Sequence, residues 1–192
     1  RTLPAVVLDG QVVPRIYAIA QCMLGSPQVL ERSQIEQFLA AFQTKTPLSI
    51  GELWGLPAML RAVSLEGIVA ALESAPLEAS HSEIGRTPAK TSAQVVSTAV
   101  RSLIVLKAIS WRAVFEHSSL VHRELCNDPA GIYEHMASNS CDRYLGAIEV
   151  LARRVVAAEI EVAKAISRRI RVPGALDVIP MANGTVRVVG VR

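Results

Sequence analysis

Aromatic residues make up only 4% of this 192-residue chain and charged residues only 19%. So few rings exclude a core built on aromatic packing. The low charge, set against 51% hydrophobic residues, excludes a disordered chain. The three cysteines, Cys22, Cys126 and Cys141, are odd in number, widely spaced and without a C-x-x-C pair. That excludes a disulfide framework and points to reduced thiols in a cytosolic setting. No D-x-D pair occurs, since Asp9, Asp128, Asp142 and Asp177 stand alone, so the usual carboxylate clamp for the divalent cation of a nucleotide-sugar transferase is missing. Gly51 and Gly55 lack the Lys-Ser/Thr that would complete a phosphate loop. No uninterrupted apolar run reaches the roughly 18 residues of a membrane span. The best stretch, 95–109, carries Arg101 and Lys107 and is expected to be a buried helix.

What is present is aliphatic and patterned for helices. The fold class expected is all-α, an antiparallel array of seven or eight helices, with a C-terminal β-hairpin around Asn183 and Gly184. Pro14 opens a first helix that runs to about Met23, and a second spans about Ser33 to Phe42. Ser49 and Glu52 form a capping box at the start of a third, with Leu48 and Leu53 placed to staple its entry. That helix continues to about Glu73 with Leu53, Leu56, Leu60 and Val63 inward. Pro57 predicts a bend near Trp54 to Leu56, or a junction of two shorter helices, because an interior proline costs about 3 kcal/mol. The Gly51 to Gly55 spacing leaves room for another backbone.

Residues 75–92 hold two prolines and little periodicity, so they read as a linker between a helical lobe at 1–74 and a second at 93–172, with a tail or hairpin at 173–192. In the second lobe, Trp111 to Cys126 reads as one amphipathic helix. Asp128 before Pro129 signals a helix restart, followed by a short helix at 129–137. Tyr144, Ile148, Leu151 and Val155 continue one apolar stripe. Glu159, Ala163, Ile166 and Ile170 support a last helix that stops before Pro173 and Gly174.

The net charge of +3 is carried C-terminally. Arg153, Arg154, Lys164, Arg168, Arg169 and Arg171 could face phosphate or an anionic surface, but their helical spacing points to a solvated face. Arg168, Arg169 and Arg171 are too short a cluster, with no recognition-helix or aromatic-platform motif, to argue for nucleic acid. No metal site is expected: His122 and Cys126 have the i, i+4 spacing of two zinc ligands on one helical turn, but thiol and imidazole spacing is loose and the reading taken is a satisfied or solvent-facing set of side chains. Glu52, Trp54 and Arg61, with Trp111 and Glu116, are candidates to line a sugar groove, since aromatic faces stack on pyranose rings and carboxylates accept hydroxyl hydrogen bonds, but the structural reading of the same residues is the stronger. The structural alternative is that Glu52 serves Ser49, Trp54 and Trp111 sit on core stripes, and Arg61 snorkels.

Three words in order carry a family resemblance: Pro14 to Ala18, Thr46 to Pro57 and Ser110 to Met136, with Arg61 and the Asp142, Arg143, Tyr144 run beside them. Together they resemble the helical N-terminal cytoplasmic region of bacterial cyclic β-1,2-glucan synthases, over about residues 3–75 and 92–153. The resemblance implies a non-catalytic accessory or scaffold region on the cytoplasmic side, at the inner face of the bacterial inner membrane. Glucosyl transfer from UDP-glucose and cyclisation would belong to other modules, and this chain would need no cofactor. It implies partners in the transferase module or β-1,2-glucan, reaching the membrane only through a larger protein, with Asp142, Arg143 and Tyr144 added to the binding candidates. The chain departs from the family at 75–92, where a longer helical insertion is expected. It departs again at Ser138, Cys141 and Leu145, which stand where an aromatic and two arginines are expected. The alternative reading is a free-standing helical interaction module, homodimeric through the 93–109 helix or the C-terminal ribbon.

Overall fold

The computed structural model describes residues 3–25, 29–74, 92–128, 131–155, 158–170, 176–180 and 186–190, with side chains as far as residue 168. Their contacts divide the chain into two units, one of residues 1–42 with 54–114 and one of 43–53 with 115–192. Sequence composition instead places 43–53 with the first lobe and 93–114 with the second. Hydrogen bonds explain the first difference: Gln43 Nε2 donates to the Ser118 carbonyl at 2.8 Å, and the Ile50 N–H donates to Glu159 at 2.6 Å. The linker at 75–91 lies outside the described residues.

The first unit begins with a hairpin that helical periodicity does not announce. β1 (Ala5–Leu8) pairs antiparallel with β2 (Gln11–Pro14), so that Val7 faces Val12. The turn between them is Asp9 and Gly10, both at positive φ (49° and 78°). Two left-handed residues in a two-residue loop match the right-handed twist of the strands, and Asp-Gly tolerates that geometry best. The hairpin packs on α1 (Arg15–Leu24), which starts after Pro14 as its fixed φ and missing N–H allow. α1 buries Ile16, Ile19, Ala20 and Met23 at helical spacing, while Tyr17 donates to Glu66 Oε2 at 2.5 Å and accepts from Gln21 Nε2 at 3.1 Å. α2 (Arg32–Gln43) buries Ile35 and Leu39, with an Arg32–Glu36 ion pair and stacked Phe38 and Phe42 rings on its flank.

α3 (Ile50–Glu73) is one continuous helix with Pro57 inside it, and not the two shorter helices that Pro57 allowed. Its capping box forms as expected: the Ser49 N–H and Oγ–H both donate to Glu52 Oε2 at 2.9 Å, and the Glu52 N–H donates back to Ser49 Oγ at 3.2 Å. Leu48 and Leu53, the expected staple, are both buried. Beside Gly55 stand the side chains of Leu3 and Ile16, at 3.9 and 4.0 Å from where a Cβ would lie.

α4 (Ser92–Ala108) buries Ser102 and Leu106 but leaves Val100 and Ile104 exposed. The expectation of a buried helix at 95–109 is therefore corrected to a helix with one buried face. Among the described residues, one helix, α3, is long and apolar enough to cross a membrane by length and composition only, because its charges are spread thinly along 24 residues. The helices at Ser92–Ala108 and Trp111–Ser118, bent by 80° at their junction, pass the same test only if taken together.

The stretch read as a single helix from Trp111 to Cys126 is two: α5 (Trp111–Ser118) and α6 (Leu120–Cys126). Ser119 causes the break. Its backbone is extended and its Oγ accepts from the His122 N–H at 3.1 Å, an N-cap that competes with helix continuation. The neighbouring Ser118 Oγ is buried without a hydrogen-bond partner. Asp128 does cap the next turn, its Oδ2 accepting from the Ile132 N–H at 3.2 Å, but the described part of the expected short helix is a single 3₁₀ turn, η1 (Tyr133–His135). Gly131, at φ 63°, takes the left-handed conformation that turn requires.

α7 (Ser138–Val155) buries Cys141, Leu145, Ile148 and Ala152, and α8 (Glu159–Ile170) packs against both α6 and α7. The expected C-terminal hairpin is present as β3 (Leu176–Pro180) antiparallel to β4 (Val186–Gly190), with Val178 opposite Val188. Its turn, including Asn183 and Gly184, lies outside the described residues. Eight α-helices with small antiparallel hairpins among the described residues make the chain broadly all-α, as the periodicity predicts.

Candidate functional site

The residues singled out from the sequence fall into separate places. Glu52 is fully buried and occupied by the α3 cap. Trp111 donates its indole N–H to the Leu106 carbonyl at 3.0 Å, which ties the start of α5 to the end of α4. Glu116, Asp142 and Arg143 are exposed. Trp54 is not on a core stripe: it is 37% exposed. Seven positions are almost two full helical turns, so Trp54 and the exposed Arg61 share a face of α3. Leu65, Val69 and Leu72, between 53% and 62% exposed, extend that face. The opposite face carries the buried Leu53, Leu56, Leu60 and Ser64. α3 is therefore apolar on both sides, and the 3.6-residue period cannot distinguish the side that packs from the side that does not.

The second unit holds a ring cluster built on α5, α6, η1 and α7. Phe115, His122, Tyr133 and Tyr144 meet edge to face in sequence, with centroids 6.4, 5.5 and 6.2 Å apart. Tyr144, one of the expected binding residues, thus packs against the buried Tyr133. His122 lies at its centre, with Nδ1 3.2 Å from the Tyr133 hydroxyl and Nε2 3.6 Å from Cys126 Sγ. The Ser119 cap sets where the first turn of α6 begins, and the i, i+4 spacing then brings imidazole and thiol together. Burial pushes the Cys126 thiol up, and Glu134, Cys141 and Glu116 push it further. A thiol raised in this way ionises less readily than a free cysteine, and the thiolate is the nucleophilic form. Among the described residues, no group of three or more His, Cys, Asp or Glu side chains could hold a metal ion.

No family model matches the chain. Over 69 residues, 35% of its length, it is 36% identical to the cyclic β-(1,2)-glucan synthase NdvB of Rhizobium meliloti (strain 1021). The match spans about 2% of that protein's length. The similarity to a glucan synthase is therefore partial and confined to a short region.

A third set of groups has no signature in the sequence because its members are distant along the chain. Glu159, at the start of α8, accepts from the Ile50 N–H at 2.6 Å and so serves the first turn of α3 from outside. Its carboxyl is pushed up by burial, pulled down by that N–H, pushed up again by Glu149 and Glu52, and drawn down by Arg153. The raised folded-state value means that the native protein binds this proton more readily than the unfolded chain. Its contribution to stability therefore grows as pH falls from neutral towards the ordinary carboxylate range, and is lost as pH rises through the raised value. Thermal midpoints across that window are expected to show this slope in the wild type and not in Glu159→Gln, whose amide oxygen can still accept from Ile50. A wild type and variant with parallel profiles would refute it.

Proposed function

We propose that the chain acts as a non-catalytic accessory or scaffold region of a protein related to cyclic β-1,2-glucan synthases, at the cytoplasmic face of a bacterial inner membrane. In this reading, glucan synthesis from UDP-glucose is carried by other modules. The exposed face of α3, with Trp54, Arg61 and Leu65, meets the transferase module or its glucan. The 36% identity to a glucan synthase over 69 residues carries the reading. The exposure of Trp54 and Arg61 supports the choice of face, since an indole offers a ring for a pyranose and a guanidinium offers five hydrogen-bond donors. Asp142 and Arg143, exposed on α7, are a secondary contact.

The test is heteronuclear NMR of the purified chain titrated with linear β-1,2-glucan and, separately, with UDP-glucose and magnesium. Shifts clustering at Trp54 and Arg61 with glucan alone are expected, and Trp54→Ala should weaken binding about tenfold, the effect of losing roughly 1.4 kcal/mol of contact. A folded protein with no shifts at saturating glucan would reject the glucan arm. The second reading, a free-standing and homodimeric interaction module, is favoured by the exposed Val100 and Ile104 on α4. Light scattering separates the two: concentration-dependent mass growth that Ile104→Glu abolishes would favour the dimer.

A further inference from the structure

We propose that α3 and α4 carry the two halves of one self-association surface: the 65–73 stretch of α3 in one copy docks on α4 of a second copy, and the same contact recurs in reverse. Three observations support it. Both helices present an apolar face that the chain leaves in solvent. On α3, Leu65, Val69 and Leu72 stand at i, i+4 and i+7 and are between 53% and 62% exposed. On α4, Ala93, Ser97, Val100 and Ile104 are exposed at the same alternation of four and three, with Ile104 at 65%. That alternation is the spacing of a seam between packed helices. Only 22% of the most apolar 18 residues of α3 are buried, so the core of the chain does not account for this apolar surface. Second, the charges are complementary. Residues 65–73 carry the exposed Glu66 and Glu73 and no base, whereas α4 carries the exposed Arg101 and Lys107 and no acid. Like faces brought together would repel, and unlike faces attract.

Third, the area requires both faces. A stable interface buries about 1,200–2,000 Å² in all, and Val100 with Ile104 on a lone α4 supplies a small part of that. A reciprocal contact takes two helix faces from each copy, and because residue i meets j while j meets i, it closes at two chains. This rests on the homodimeric reading above and supplies the surface that α4 meets. Trp54 lies about three turns away along α3, outside the contact.

Light scattering on the full chain tests it. Mass should rise with concentration from the 20.7 kDa of one chain and stop at twice that value; growth beyond it would overturn the closed, reciprocal arrangement. Raising salt from about 50 to 500 mM should weaken the dimer about threefold, because exposed unlike charges lose their attraction. A dimer that tightens with salt is an α4-to-α4 contact, which sinks the proposal while the homodimeric reading survives. Val69→Lys and Ile104→Glu, both at exposed positions, should each leave a monomer with unchanged circular dichroism. An equal mixture of the two variants should recover a mixed dimer, because lysine then faces glutamate across one of its two contacts and the other is wild type. Glu66 is left in place, since it accepts from Tyr17. A dimer that Ile104→Glu abolishes and Val69→Lys does not would refute the α3 half. A chain monomeric at every concentration would refute the proposal and the homodimeric reading together, and its sedimentation with phosphatidylglycerol vesicles, lost in Ile104→Glu, would assign α4 to a lipid surface instead. The salt series needs no variant, so it decides even if a substitution fails to fold.

Discussion

Replacing Ile148 with alanine is expected to lower stability by about 2–5 kcal/mol, the range for emptying a fully enclosed aliphatic site. Ile148 is 0% exposed at the middle of α7, on the same stripe as the buried Leu145 and Ala152. With so few aromatics in the chain, branched aliphatics carry most of the core. For a chain of this length each kcal/mol moves the thermal midpoint by about 2–4 °C, so a fall of roughly 5–15 °C should appear by circular dichroism. Ile148→Val should cost only about 0.5–1.5 kcal/mol. Trp54→Ala, at a position 37% exposed on α3, should cost less than Ile148→Ala despite deleting a larger side chain. If Trp54→Ala were the more damaging of the two, the α3 face would have to be packed rather than presented.

That contrast shows what is legible in the sequence and what is not. Helix positions can be read from the apolar period and from strong local chemistry: Pro14 starting α1, the Ser49 and Glu52 box starting α3, Asn183 and Gly184 between the strands of a hairpin. The N-terminal hairpin has an equally strong local signal in Asp9 and Gly10 between valine-rich strands, and that signal disappears when Asp9 is weighed only as a lone carboxylate. The break at Ser119 is hidden because serine in mid-helix is compatible with both outcomes until its hydroxyl finds an N–H.

The candidate sites divide the same way. The contact between His122 and Cys126 follows from spacing within one helix, so it can be read. The engagement of His122 by Tyr133, and of Ile50 by Glu159, depends on side chains brought together across 11 and 109 positions, which no periodicity encodes. The core stripe drawn through Trp54 fails for a further reason. On a helix apolar all round, a stripe can be drawn through either face.

Glu52→Ala is expected to cost about 1–3 kcal/mol, because the half-buried Ser49 N–H and Oγ–H lose their carboxylate acceptor while the N–H of residue 52 can still donate to Ser49 Oγ. Glu52→Gln separates charge from hydrogen bonding. Its amide oxygen can still accept from Ser49, so the cap should largely survive, while the negative charge that helps to push up the Glu159 carboxyl disappears. The two variants should therefore diverge. Alanine lowers the thermal midpoint at every pH; glutamine changes it little at neutral pH but draws the Glu159 titration back towards the ordinary carboxylate range, a shift measurable by following its side-chain carboxyl carbon by NMR. Burial is the largest cause of the Glu159 shift and remains in both variants, so the titration should move part of the way and not return to that of an exposed glutamate. A Glu159 titration unchanged in Glu52→Gln would show that the two carboxylates do not share the α3 N-terminus, and that Glu159 answers to Ile50 and its own burial alone.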